Sequence, residues 1–252
     1  MSTIFIKNRK NQKVAVIVEE AEKARGLAFV MHGQGDAKDS PHIKILAKCF
    51  LDNNYNVVRF DTTNTFGESD GRFEDGTITS YYEDLEDVIK WAGEQDFYEE
   101  PFILCGHSLG GICSALFAEN YPQKVRGLAP ISSVISGELG REQYTPEELA
   151  DWREGGWLIE DWPLGEVRLP WSYMEDELKY DLLKKADQLT MSTILIVGEN
   201  DHCCPPRHQQ ILFEALPAQK GIYLIKDAPH TFRAPEHLEE IYRIMDKWLK
   251  TL

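Results

Sequence analysis

Eight short apolar runs punctuate the chain: Ile4–Ile6, Val14–Val18, Leu27–Met31, Val57–Phe60, Phe102–Cys105, Val125–Ile131, Thr193–Val197 and Ile222–Ile225. From Leu27 onward the runs are nearly unbroken in apolar character rather than alternating. That pattern belongs to parallel strands covered on both faces. The first two runs, separated by the polar stretch KNRKNQ, suit a hairpin.

Between the runs, apolar positions recur at spacings of three and four. Pro41–Asn53 carries Ile43, Leu46, Ala47 and Phe50. Ser80–Gln95 carries Leu85, Val88, Ile89 and Ala92, with Ser80 and Glu83 placed as a capping box. Helices are also predicted over Ser108–Asn120, Arg207–Leu216 and Pro235–Leu249, the last with proline in its first turn. Strand and helix in alternation predict an α/β fold, a mostly parallel eight-stranded sheet flanked by helices.

The rhythm breaks between Ser133 and Leu189, where no strand pattern is evident. Two helices are predicted instead, one opening at Thr145-Pro146-Glu147-Glu148 and one over Ser172–Glu175. A connection this long is uncommon without a function or structure of its own. It reads as a helical lid inserted after the sixth strand, with residues 1–132 and 190–252 forming the core.

Composition narrows the classes. A hydrophobic content of 42% supports a sizeable core. The net charge of −15 repels phosphate backbones, so nucleic acid is not an expected partner. No apolar run is long enough to span a membrane. The N-terminus lacks the layout of a secretory signal. The odd set Cys49, Cys105, Cys113, Cys203 and Cys204 reads as free thiols in a reducing compartment, so a cytoplasmic location is expected. The sequence leaves the oligomeric state open between monomer and homodimer.

The chemistry concentrates at Gly106-His107-Ser108-Leu109-Gly110. A strand running into G-x-S-x-G and then a helix is a nucleophile elbow, with the serine at the tip of a strained turn. A serine hydroxyl needs a base, and the base needs an orienting acid. In this arrangement acid and base follow later strands, in that order. Asp201 lies in the loop after Thr193–Val197, and His230 in the loop after Ile222–Ile225. Glu199 and Asp227 are rival acids, and His202 a rival base. The His202-Cys203-Cys204 cluster lacks the separated ligands of a metal site, and none is expected. An oxyanion hole is predicted from the N–H of Leu109 and a second N–H in His32–Asp36. Gln34 is the choice there and Gly33 the nearest competitor, while His32 reads as structural.

These residues resemble an α/β-hydrolase along nearly the whole chain, through HGQGD, GHSLGG, GENDHCCPP and APHTF in that order. The stretch RFDTTNTFGESDGRF is similar to a loop of monoglyceride-lipase-like and cinnamoyl/feruloyl esterase-like members, with Ser69 structural. The resemblance implies a serine hydrolase working through an acyl-enzyme, without metal or organic cofactor, and an insertion lid at Ser133–Leu189. The expected activity is that of a serine carboxylesterase on short-chain or aromatic small-molecule esters. A peptidase, thioesterase, acyltransferase or carbon–carbon hydrolase would use the same residues, and a non-catalytic binding protein the same scaffold.

Residues 136–179 hold twelve acidic and four basic side chains, a sign that disfavours anionic substrates. Trp152, Trp157, Trp162 and Trp171, with Tyr144, Tyr173 and Tyr180, are expected either to line an apolar acyl pocket or to fasten the lid to the body.

Overall fold

The computed structural model describes residues 2–162, 165–217 and 219–252. The strands in chain order are β1 (Ile4–Lys7), β2 (Lys13–Glu19), β3 (Leu27–Met31), β4 (Asn56–Asp61), β5 (Phe102–His107), β6 (Val125–Ile131), β7 (Trp157–Trp162), β8 (Gly165–Pro170), β9 (Ser192–Gly198) and β10 (Lys220–Ile225). Strands β7 and β8 pair only with each other; the remaining eight form one sheet in the order β1-β2-β4-β3-β5-β6-β9-β10. β2 is antiparallel to both β1 and β4, and the other neighbours are parallel.

Strand β3 is followed on one side by β4 and on the other by β5. At such a switch point, the loops leaving the carboxyl ends part and open a crevice. The loops after β3 and β5 are the ones carrying His32–Asp36 and Ser108.

Helices α1 (Pro41–Asp52), α2 (Ile78–Ala92) and α3 (Leu109–Asn120) precede the insert, which holds α4 (Gly137–Gly140), α5 (Pro146–Gly155) and α6 (Trp171–Glu177); α7 (Pro206–Ala215) and α8 (Pro235–Leu249) follow. Alternate side chains of each central strand serve opposite faces. Val30, Ile103 and Ile196 pack with Ile43 and Phe50 of α1 and Ile241 and Met245 of α8. Phe29, Leu104 and Leu195 pack with Leu85 of α2, Ile112 of α3 and Leu212 of α7. The unbroken apolar runs therefore supply two core layers at once.

Two expectations change. The cap of α2 is Thr77, whose side chain accepts the Ser80 N–H while Ser80 answers as the reciprocal partner. Threonine precedes the helix by one further turn position, so the box is Thr77/Ser80 rather than Ser80/Glu83. The insert is also not purely helical. Leu158 of β7 lies opposite Leu169 of β8, and Trp162 opposite Gly165. Val167 and Leu169 are buried, while Glu166 before them and Arg168 between them are exposed. That alternation is a strand signal, but it is short and sits among charges that hide it from a search for apolar runs. The capping box at Thr145 and Glu148 does open α5.

The insert is tied to the body by polar contacts. Asp176 of α6 accepts the Thr79 N–H at 3.0 Å, and the Gln209 side-chain amide of α7 donates to Ser133 O at 2.7 Å. Below the crevice, buried Lys38 donates from Nζ to Asp61 at 2.8 Å and from its backbone N–H at 2.7 Å. This pair pins the loop after β3 to the end of β4. All five cysteines are free thiols.

Glu119, in the last turn of α3, is buried with Oε1 unpaired. Burial pushes its pKa up to about 8, against a smaller lowering by Lys185. Between the ordinary carboxyl value and about 8 the folded state holds a proton that the unfolded chain has released, so stability falls as pH rises through that window. Glu119→Gln removes this dependence. Thermal melts should show the variant more stable than the wild type near pH 8, by a few degrees on a scale of about 2–4 °C per kcal/mol. The difference should shrink to nothing near pH 4. An unchanged gap across that range would contradict the assignment.

Candidate active site

Strand β5 ends at His107 and α3 begins at Leu109, so Ser108 alone makes the turn, at φ 54° and ψ −116°. A backbone held there costs of the order of 1–3 kcal/mol and persists only where its surroundings enforce it. The enforcing contacts are close. A Cβ on Gly106 would lie 2.1 Å from Gly110 O, and one on Gly110 would lie 2.5 Å from His32 O. Only glycine lets the helix cross the strand at this distance. The Ser108 N–H is fixed by Ile131 O of β6 at 3.0 Å.

Asp201 follows β9 and is buried. Its Oδ2 meets His230 Nδ1 at 2.9 Å, and its Oδ1 accepts the N–H groups of Cys203 at 3.0 Å and Cys204 at 2.8 Å. Burial alone would raise its pKa; the His230 hydrogen bond and charge, with the Cys204 N–H, outweigh it and hold the carboxyl below its ordinary value. The cysteine pair thus contributes backbone donors. The rivals are placed differently. His202 is exposed, and Glu199 accepts the Asp227 N–H at 3.0 Å, so the two other acids of these loops face each other. No hydrogen bond joins the Ser108 hydroxyl to His230 among the described contacts, although both line one cavity. Such bonds commonly tighten only around substrate.

Leu109 opens α3, and the first N–H groups of a helix have no partner within it. Gln34 lines the same cavity, and its side-chain Nε2 is buried without a partner. The structure therefore adds an amide side chain to the backbone donor expected at this position. Gly33 lies against the serine; a Cβ there would sit 2.8 Å from Ser108 Cβ. His32 bonds Gly33 O through Nδ1 at 2.7 Å and accepts the Thr62 N–H at Nε2 at 3.0 Å, so it holds the loop and has no free nitrogen. Ser69 accepts the Ala15 N–H and donates to Asp61 O, a structural role between β2 and β4.

The cavity encloses about 890 Å³. Its walls include Val134, Ile135, Tyr144, Trp162, Leu169 and Tyr173, with the carboxyls of Asp36, Glu160, Asp161 and Glu177. Burial, then the nearby Asp176 charge, pushes the Glu177 pKa up to about 8. Of the four tryptophans expected to bind substrate, Trp162 alone is in this wall. Trp152 is buried within the insert, donating to Leu169 O at 3.0 Å and packing edge-on against Trp171. Trp157 is exposed under the Arg168 guanidinium. Tyr180 bonds the Thr79 hydroxyl at 2.6 Å. These four fasten or edge the insert, because a large ring at a helix–hairpin junction buries more area there than in an open cavity.

Sequence reasoning passed over three further residues of this wall: Asp36, His42 and His107. His107 Nε2 donates to His230 O at 2.8 Å, joining the elbow to the loop of the candidate base. Burial, then the neighbouring His42 and His230, push the His107 pKa well below the ordinary histidine value, so the ring is neutral. Its position inside G-H-S, one residue before the serine, was the available signal. Among the described residues, two groups have metal-ligating spacing: Asp36, His42 and His107, and Asp201, Cys203 and His230.

Comparison with known proteins places this architecture. The solved structure of Est1E from Butyrivibrio proteoclasticus with ferulic acid bound superposes with a TM-score of 0.85, covering 98% of each chain at 20% identity. Among curated sequences, the mitochondrial palmitoyl-protein thioesterase ABHD10 of Mus musculus is 26% identical over 70% of this chain. The match spans 59% of that relative's length. Methylesterase 9 of Arabidopsis thaliana is 26% identical over 77% of this chain and 89% of its own. A family profile described as Hydrolase_4, serine aminopeptidase S33, matches residues 22–171, more than half of the sequence. With the eight-stranded sheet and the strand–serine–helix turn, that match makes the chain a member of the Hydrolase_4 (serine aminopeptidase, S33) family of α/β-hydrolases.

Proposed function

We propose that this chain is a serine carboxylesterase that cleaves short-chain or aromatic acyl esters through an acyl-enzyme. One observation carries the reading: a serine at a strained strand–helix turn shares a cavity with a histidine whose Nδ1 lies 2.9 Å from a buried carboxylate. Ser108 Oγ attacks the ester carbonyl, and His230 takes its proton and passes it to the departing alcohol. Asp201 holds the imidazole in the tautomer with Nδ1 protonated and stabilises its cationic form. The N–H groups of Leu109 and Gln34, with the Gln34 amide, face the developing oxyanion. Water then attacks the acyl carbon, His230 again taking the proton.

The cavity supports the substrate class. Its volume suits a compact ligand, and its aromatic walls suit a ring or a short chain. Asp36, Glu160 and Asp161 in the wall oppose anionic acyl groups. Residues 133–189 supply Tyr144, Trp162 and Tyr173 to that wall, which favours a lid role for the insert. The palmitoyl-thioesterase relative favours a second reading, in which the same residues cleave thioesters.

Ser108→Ala should lower turnover of p-nitrophenyl acetate and methyl ferulate by about 10⁴-fold or more while the fold is kept. A series from acetate to laurate should show the short members and the ferulate turned over faster than laurate. Activity on acyl thioesters with none on oxygen esters would replace the first reading with the second; equal rates for wild type and variant would remove both.

Glu177 gives a pH signature. Its carboxyl is neutral below about 8 and gains a charge inside the cavity above that. KM for an aromatic ester should therefore rise as pH passes from 7 to 9 in the wild type. Glu177→Gln should flatten that limb without altering the acid side. Identical alkaline limbs in the two proteins would exclude Glu177 from the acyl pocket.

A further inference from the structure

We propose that Asp36, His42 and His107 form a binding site for a zinc-class divalent cation at the edge of the candidate catalytic cavity, and that its occupancy inhibits the hydrolase. One ligating atom from each residue lies within 4.8 Å of the other two, and all three residues line the cavity that holds Ser108 and His230. An ion thus has a route of entry and three donors waiting.

Two buried nitrogens make this more than a cluster. His107 commits Nε2–H to His230 O, which leaves Nδ1 as a bare lone pair; that Nδ1 is buried and has no partner. His42 Nε2 lies 2.9 Å from Asp36 Oδ2, yet it too is buried and forms no aligned hydrogen bond. Buried polar atoms are nearly always satisfied, so an unpartnered His107 Nδ1 beside a misaligned His42–Asp36 pair asks for a common acceptor of lone pairs. A cation is such an acceptor.

The outer contacts already orient the donors. Asp36 Oδ1 is held by the Ser40 hydroxyl and by the Ala37 N–H at 3.0 Å, leaving Oδ2 free to ligate. His107 is turned by a backbone carbonyl, the usual support of a metal-bound imidazole. Two imidazoles and a carboxylate suit zinc, cobalt, nickel or copper rather than calcium or magnesium. Bonds of about 2.1 Å place tetrahedral ligands about 3.4 Å apart; the His42–Asp36 pair, at 2.9 Å, would open slightly, and the His107 donor, within 4.8 Å of both, would draw in.

Inhibition follows from where the ion sits, and this half rests on the proposed hydrolase reading. The point a Cβ would occupy on Gly33 is 2.8 Å from Ser108 Cβ and 3.1 Å from His107 Nδ1. An ion held by His107 is therefore close to the serine and its oxyanion donors. Its charge also opposes the imidazolium that His230 must become.

The test uses the full chain, stripped with EDTA and titrated with Co²⁺ and then Zn²⁺. A visible Co²⁺ absorption band that saturates at a single equivalent and is displaced by Zn²⁺ is expected, together with EDTA-reversible loss of p-nitrophenyl acetate hydrolysis. His42→Ala and Asp36→Asn should each weaken Co²⁺ binding by more than the roughly 10- to 100-fold that loss of an outer contact costs. Cys203→Ser should bind as the wild type does. Thermal melts check that each variant is folded; Asp36→Asn, nearly isosteric, decides if His42→Ala is not. Absence of the band, or equal affinity in Asp36→Asn, overturns the site. Loss of binding in Cys203→Ser overturns it in favour of Asp201, Cys203 and His230. Binding without loss of rate overturns the inhibitory half, and binding by a protein with no esterase activity upholds the site while the hydrolase reading fails.

Discussion

The near-contact between β5 and α3 is the constraint to which the other parts of the crevice are fitted. Gly106 and Gly110 let two backbones approach to a distance that any side chain would forbid. The turn between them therefore has one available course, and Ser108 is carried on it at positive φ. The His32–Asp36 loop, the β6 carbonyl of Ile131 and the His230 loop are all positioned against that turn. Strain of this kind is local, and it is offset by the two core layers that hold β5 near the middle of the sheet.

Carboxyls near the crevice are driven in opposite directions by their surroundings. Asp201 is buried, but three donors converge on its oxygens and hold it ionised. Glu177 is buried in the cavity wall among aromatic residues, without a cationic partner, and keeps its proton to about 8. On the proposed reading, one acid is thereby fitted to steady a positive imidazole, and the other presents a neutral polar group below about 8. The difference comes first from the His230 hydrogen bond and charge and then from the Cys204 backbone N–H, contacts that no charge count along the chain would register.

The sheet, its flanking helices and the order of the site loops were legible because buried parallel strands and amphipathic helices leave strong periodic marks. The serine, aspartate and histidine could be located because each falls just beyond a strand end. Side-chain direction was less accessible. The tryptophans of the insert look alike in sequence, yet of the four only Trp162 turns into the cavity: Trp152 and Trp171 sit on α5 and α6, and Trp157, an odd number of residues before Trp162 on β7, presents the opposite strand face. The hairpin itself was missed because Glu160, Asp161, Glu166 and Arg168 break its apolar run. His42 and Asp36 were invisible for another reason: their significance depends on a meeting with His107, some 65 residues away in sequence, that only the packing of α1 against the sheet creates.

The strand order has a consequence for how the molecule comes into being. Ser108 and its turn belong to β5 and α3, and β5 can pair with β3 and β6 once the first half of the chain has emerged. Asp201 and His230 ride on β9 and β10, which add to the growing edge of the sheet at the end of synthesis. Until that edge is complete, the strained serine has neither the His230 imidazole nor the Asp201 carboxylate in reach. On the proposed hydrolase reading, a nascent chain of this design carries its hydroxyl unarmed, and the last two strands act as the safety catch.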